Sequence, residues 1–129
     1  MNQVKVKLLD LQKQYDLLEE DLKSSIERVL KSGRFILGSE VSAFEKEIKH
    51  YLNLDERFDA IGVASGSDAL LLSLMAIDIK PGDEVITTPF TFFATAGAIA
   101  RLNAIPVFVD INLYDFNMNV SKIEEKLTG

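Results

Sequence analysis

The order of apolar patterns along these 129 residues predicts an α/β fold, with a parallel-type sheet flanked by helices and preceded by two helices. Three observations carry this. Two amphipathic helical patterns open the chain. After residue 57, short apolar runs of strand length alternate with helical patterns. Most handovers between them bear a turn signal of Gly, Pro, Ser or Asp.

The elements follow in order. Tyr15, Leu18, Leu22, Ile26 and Val29/Leu30 recur at steps of three and four, which predicts a helix over 11–31, with Gly33 as its stop. "FILG" is a short extended piece. A second helix starts near Glu40 with Ser39 as N-cap, and Val41, Phe44, Ile48 and Tyr51/Leu52 form its buried face. "AIGVA" (60–64) is a strand, 68–77 a helix, "KPGDE" (80–84) a turn and "VITT" (85–88) a strand. A helix over 93–102 and a strand at "PVFV" (106–109) follow. Ser121 and Glu124 have capping-box spacing, which predicts a last helix to Leu127. Strands alternating with helices imply parallel pairing through right-handed crossovers. Three strands make a narrow sheet, so we expect one partial domain: a helical segment over 1–57, then the start of an α/β domain over 58–129 that continues in a longer protein.

Composition narrows the function classes. Hydrophobic residues are 47% and charged residues 26%, as in folded domains, and the net charge is −6 without a basic cluster. Neither a nucleic acid nor an anionic membrane is an expected partner. There is no cysteine, which excludes disulfides and Cys-ligated metals; no metal site is expected. The start turns acidic too early for a signal peptide, and the longest apolar run, near Ala69–Ile77, is too short for a bilayer. A cytoplasmic location is expected.

Two stretches have the makings of chemistry. The first is Ser65-Gly66-Ser67-Asp68, where an apolar run hands over to a helix. A helix N-terminus offers free N–H groups and the positive end of its dipole, which suits a phosphate. Gly66 lets an anion approach the backbone, and the Ser67 hydroxyl adds a bond. An ordinary Ser-capped turn explains the same four residues. They match neither G-x-G-x-x-G nor the P-loop, which argues against a Rossmann-like dehydrogenase or epimerase. The second stretch is "TTPFTFFATAGAIA" (87–100), with Phe90, Phe92 and Phe93 at the C-terminal end of a strand, where α/β folds bind ligands. A ring there can stack on a flat heteroaromatic ring, or simply pack into a core. Both stretches end neighbouring strand candidates, so they are expected to share one crevice. A phosphorylated aromatic cofactor fits the pair.

The segments "VASGSDALLLSLMAIDIKPGDEVITTPFTFFATAGAI", "NAIPVFVDI" and "FNMNVSKIEEKL", with the two opening helices, resemble the N-terminal part of the DegT/DnrJ/StrS family of pyridoxal-phosphate-dependent nucleotide-sugar aminotransferases. The resemblance implies the N-terminal part of a fold-type-I large domain. It implies that Gly66, Ser67 and Asp68 bind the phosphate of pyridoxal 5'-phosphate, chiefly through backbone N–H, that Phe92 stacks on its ring, and that Thr95 lines the pocket. Phe90 and Phe93 then pack. Ser67 stands where threonine is more usual, and the hydroxyl survives. The "GRFILG" segment (33–38) resembles a stretch near the active-site mouth. The family's Schiff-base lysine is expected beyond Gly129, so no catalytic residue is assigned here; Lys80, Lys122 and Lys126 read as solvated, as does His50. Asp110 belongs to the "VFVDI" motif and is not the aspartate that pairs with the pyridine nitrogen. The implied partners are a nucleotide-sugar substrate, an amino donor and a second copy in a homodimer. A non-catalytic regulatory or assembly fragment of the same family is the alternative.

Overall fold

The computed structural model describes residues 6–128. It contains α1 (Leu11–Ser32), α2 (Ser39–Tyr51), α3 (Gly66–Ala76), β1 (Glu84–Thr87), α4 (Ala94–Arg101) and β2 (Ile105–Phe108). Two 3-10 turns, Val120–Lys122 and Glu124–Lys126, follow. The chain divides into two compact units, one reaching Gly62 and one starting at Val63. No described helix is long and apolar enough to cross a membrane.

In the first unit, Asp10 caps α1 through its side chain and Gly33 ends it at φ 65°, donating to the Val29 and Leu30 carbonyls, so the expected stop is where the sequence put it. Gly38, not Ser39, is the N-cap of α2, and it makes no side-chain cap bond. Gly38 is required for space: a Cβ there would lie 2.6 Å from the Arg34 carbonyl oxygen. Leu37 just before it takes φ 48°, which completes the tight "GRFILG" turn. The expected buried face of α2 is only half realised. Val41 and Ile48 are half-buried, whereas Phe44, Tyr51 and Leu52 remain exposed, because nothing among the described residues covers them.

The strand expected at 60–64 does not form. A strand needs a neighbour to take its amides and carbonyls, and among the described residues none is present. Instead, the Glu45 carboxylate accepts the Gly62 N–H at 2.8 Å, and Lys49 Nζ pairs with Asp59 at 2.9 Å. The Asp59 bond holds the Lys49 ammonium above its ordinary range.

The second unit holds the sheet. β1 and β2 pair in parallel, with Glu84 opposite Ile105 and Thr87 opposite Phe108, across α4. Ile105 and Val109 donate to the Asp83 and Thr87 carbonyls at 2.8 Å. Alternate amides of β2 therefore face β1, and Pro106 has its missing donor on the outer edge, where a ladder loses nothing. The buried side chains, Ala98, Ile99, Ala104 and Val109, lie on α4 and on the residues that flank β2 on either side. The predicted turn is a type II turn: Pro81 leads, Gly82 sits at φ 90°, and Asp83 N–H returns to the Lys80 carbonyl at 3.1 Å. A Cβ on Gly82 meets no atom within 4 Å, so only its φ resists substitution. Gly82→Ala in the full-length protein should therefore cost about 1 kcal/mol in thermal unfolding and leave ligand affinity untouched.

The predicted last helix is replaced by the two 3-10 turns. Asn119 accepts the Ser121 N–H and hydroxyl, which takes Ser121 out of the expected capping box. Seven residues are also too few to offset helix nucleation without packing.

Candidate cofactor site

The first turn of α3 is built by Ser65. Its backbone is extended at φ −161° and ψ 164°, and its Oγ accepts the Asp68 N–H at 3.1 Å. The same hydroxyl donates to Asp68 Oδ2 at 3.2 Å. The Ser65 carbonyl accepts the Ala69 N–H at 2.9 Å, which begins the helical ladder. The cap thus uses the third amide of the turn. The Gly66 and Ser67 N–H groups have no acceptor among the described residues and point out of the helix end. The expectation that Asp68 contributes its N–H is narrowed: in this geometry that donor belongs to Ser65.

Gly66 itself is not demanded by the protein. It lies outside the positive-φ region, and a Cβ there would meet nothing within 4 Å. Gly66 and Ser67 are exposed, and Asp68 is half-buried. Asp68 Oδ1 also faces Arg101 Nη1 at 3.9 Å, a contact between α3 and the last residue of α4.

The aromatic stretch lies between β1 and α4. Phe90 sits 6.0 Å from Phe116, centroid to centroid, with planes tilted by 30°. Phe93 lies over Gly97, where a Cβ would be 3.1 Å from the ring. Phe92 has no aromatic neighbour among the described residues and is 77% exposed, and Phe93 is as open at 81%, so exposure by itself does not choose between these two rings. Thr95 is half-buried, with its Oγ1 3.0 Å from Thr91 Oγ1. It lines a cavity of about 160 Å³ together with Leu70, Leu74, Val85, Thr87 and Ala98, a gap between α3, β1 and α4 that Gly66, Ser67, Asp68 and Phe92 do not line.

The fold thus brings together α3, which carries Gly66, Ser67 and Asp68, and α4, which carries Thr95, with Phe92 just before it. The expected crevice between two neighbouring strand ends is not formed, because the residues before Ser65 join no sheet. Arg101 was not anticipated. It is 33 positions from Asp68 in the sequence, and only the packing of α3 on α4 makes them neighbours.

This architecture has relatives. The profile of the DegT/DnrJ/EryC1/StrS aminotransferase family matches residues 16–129, and the chain belongs to that family. It is 46% identical over 123 residues to a pleiotropic regulatory protein of Geobacillus stearothermophilus, covering 95% of this chain and 32% of the relative. It is 38% identical over 123 residues to a UDP-N-acetyl-3-dehydro-alpha-D-glucosamine 3-aminotransferase of Acidithiobacillus ferrooxidans, with 95% and 32% covered. Among solved structures, a family aminotransferase from Brucella abortus superposes with a TM-score of 0.86 at 41% identity, over 93% of this chain and 31% of that one. The NtdA structure from Bacillus subtilis, solved with bound cofactor PMP, gives 0.90 at 33% identity, over 99% and 29%. The chain therefore spans about a third of the length of these relatives. Its fold is that of the N-terminal part of a fold-type-I large domain.

Proposed function

We propose that this chain is the cofactor-gripping N-terminal part of a pyridoxal-phosphate-dependent aminotransferase that moves an amino group, with glutamate as donor, onto a keto sugar nucleotide. The setting is the cytoplasmic making of sugars for cell-surface polysaccharides or secondary metabolites, by a homodimer. The observation that carries the reading is the first turn of α3. Two amides there lack acceptors among the described residues, and a glycine is present that neither φ nor crowding requires.

This donor set fits a phosphate dianion. The Gly66 and Ser67 N–H groups and the Ser67 hydroxyl supply three donors at the positive end of a helix dipole. A side chain at 66 would occupy the space the anion needs. Phe92 offers a flat apolar face to the heteroaromatic ring, and Thr95 follows it in the first turn of α4. When bound, pyridoxal 5'-phosphate supplies the electron sink for amino transfer. The residues described here hold and orient that cofactor. The lysine that anchors it covalently lies outside these 129 residues.

Borohydride reduction of the full-length protein in the presence of pyridoxal phosphate, followed by peptide mapping, tests this. The expected result is a single labelled lysine outside residues 1–129. A label on Lys80, Lys122 or Lys126 would overturn the assignment. The name of the Geobacillus relative favours a second reading, a cofactor-free regulatory or assembly role. Titration of the full-length protein with pyridoxal phosphate separates the two: saturable binding with a cofactor absorbance band supports the enzyme, and none supports the regulator.

A further inference from the structure

An aspartate in the first turn of a phosphate site is a liability, since its charge repels the dianion at short range. The structure deals with Asp68 by two contacts. The Ser65 hydroxyl donates to Oδ2 at 3.2 Å, and the Arg101 guanidinium faces Oδ1 with Nη1 at 3.9 Å. Ser65 and Asp68 are local, but Arg101 comes from the end of α4. The pair is partly open to water, with side chains 37% exposed for Asp68 and 62% for Arg101, so its effect is modest.

We propose that Arg101 is a positioning residue for the cofactor phosphate. It acts through Asp68 rather than on the cofactor. By offsetting the carboxylate charge and holding that group against Ser65, it leaves the incoming dianion facing the Gly66 and Ser67 donors instead of a free anion. The proposal rests on the reading that a phosphate sits on the first turn of α3.

The test is a double-mutant cycle in the full-length protein, reading apparent Kd by absorbance titration with pyridoxal phosphate and with pyridoxal, which lacks the phosphate. Arg101→Gln is expected to weaken pyridoxal phosphate about threefold, the effect of a part-exposed ion pair, and to leave pyridoxal affinity and Tm unchanged. Arg101→Lys should restore the loss. In an Asp68→Asn background, Arg101→Gln should have no effect. An equal loss in both backgrounds means that Arg101 acts directly on the phosphate or through the fold, and overturns the proposal. So does the absence of any loss in the Asp68 background, or a lysine variant as weak as the glutamine one. If the unmutated protein binds pyridoxal phosphate no tighter than pyridoxal, the phosphate reading of the site itself fails, a result distinct from failure of the cycle.

Discussion

Gly66→Ala in the full-length protein is expected to lower affinity for pyridoxal phosphate by about tenfold or more while thermal stability holds or rises slightly. The two effects have separate causes. The alanine methyl enters open space, so no protein atom resists it. At a helix start with ordinary φ, alanine also restricts the unfolded chain more than glycine does, a gain of about 0.5 kcal/mol. On the binding side, the methyl stands where the proposed site would have the phosphate meet the Gly66 and Ser67 amides. Losing one charge-assisted hydrogen bond costs about 1.5–3 kcal/mol, and about 1.4 kcal/mol is a factor of ten. Absorbance titration and a melting curve on the same sample check both signs. Unchanged affinity would place the phosphate elsewhere. The comparison with Gly82 sharpens the test. There the backbone requires glycine at φ 90°, and substitution should cost stability without touching affinity.

Phe92→Ala should weaken cofactor retention by about tenfold, in line with the 1–3 kcal/mol that stacking of a flat ring on an aromatic side chain provides. Phe90→Ala should change retention by less than about twofold but lower Tm, because it removes the contact with Phe116 at 6.0 Å. The two variants are expected to trade places between the two measurements. Phe92 is 77% exposed, so its removal should leave stability nearly unchanged. Equal loss of retention in both variants, or a larger loss at Phe90, would mean that a different ring carries the cofactor.

Much of the local structure was legible in the residues. The steps of three and four in the opening helices, the Gly33 stop and the Pro81-Gly82 turn each depend on groups within a few positions of one another. Most of what went unread depended on partners outside the segment itself. "AIGVA" has the composition of a strand, but without a neighbour its Gly62 amide turns to Glu45 instead. Ser121 has capping-box spacing, but Asn119 two residues earlier reached its amide first. The apolar face of α2 reads as buried, but burial needs a second surface, and the described residues supply it only at Val41 and Ile48.

The same division applies to the candidate site. The amino-acid order alone places small residues and a serine cap at the start of α3, and three phenylalanines after β1, because turn chemistry and helix-end donors are properties of short segments. Only the tertiary structure decided which of those groups are spoken for. Folding put Phe90 beside Phe116 and brought Arg101 to the Asp68 carboxylate. Donors and rings become available or engaged through contacts in space, and such contacts join residues that no local pattern connects.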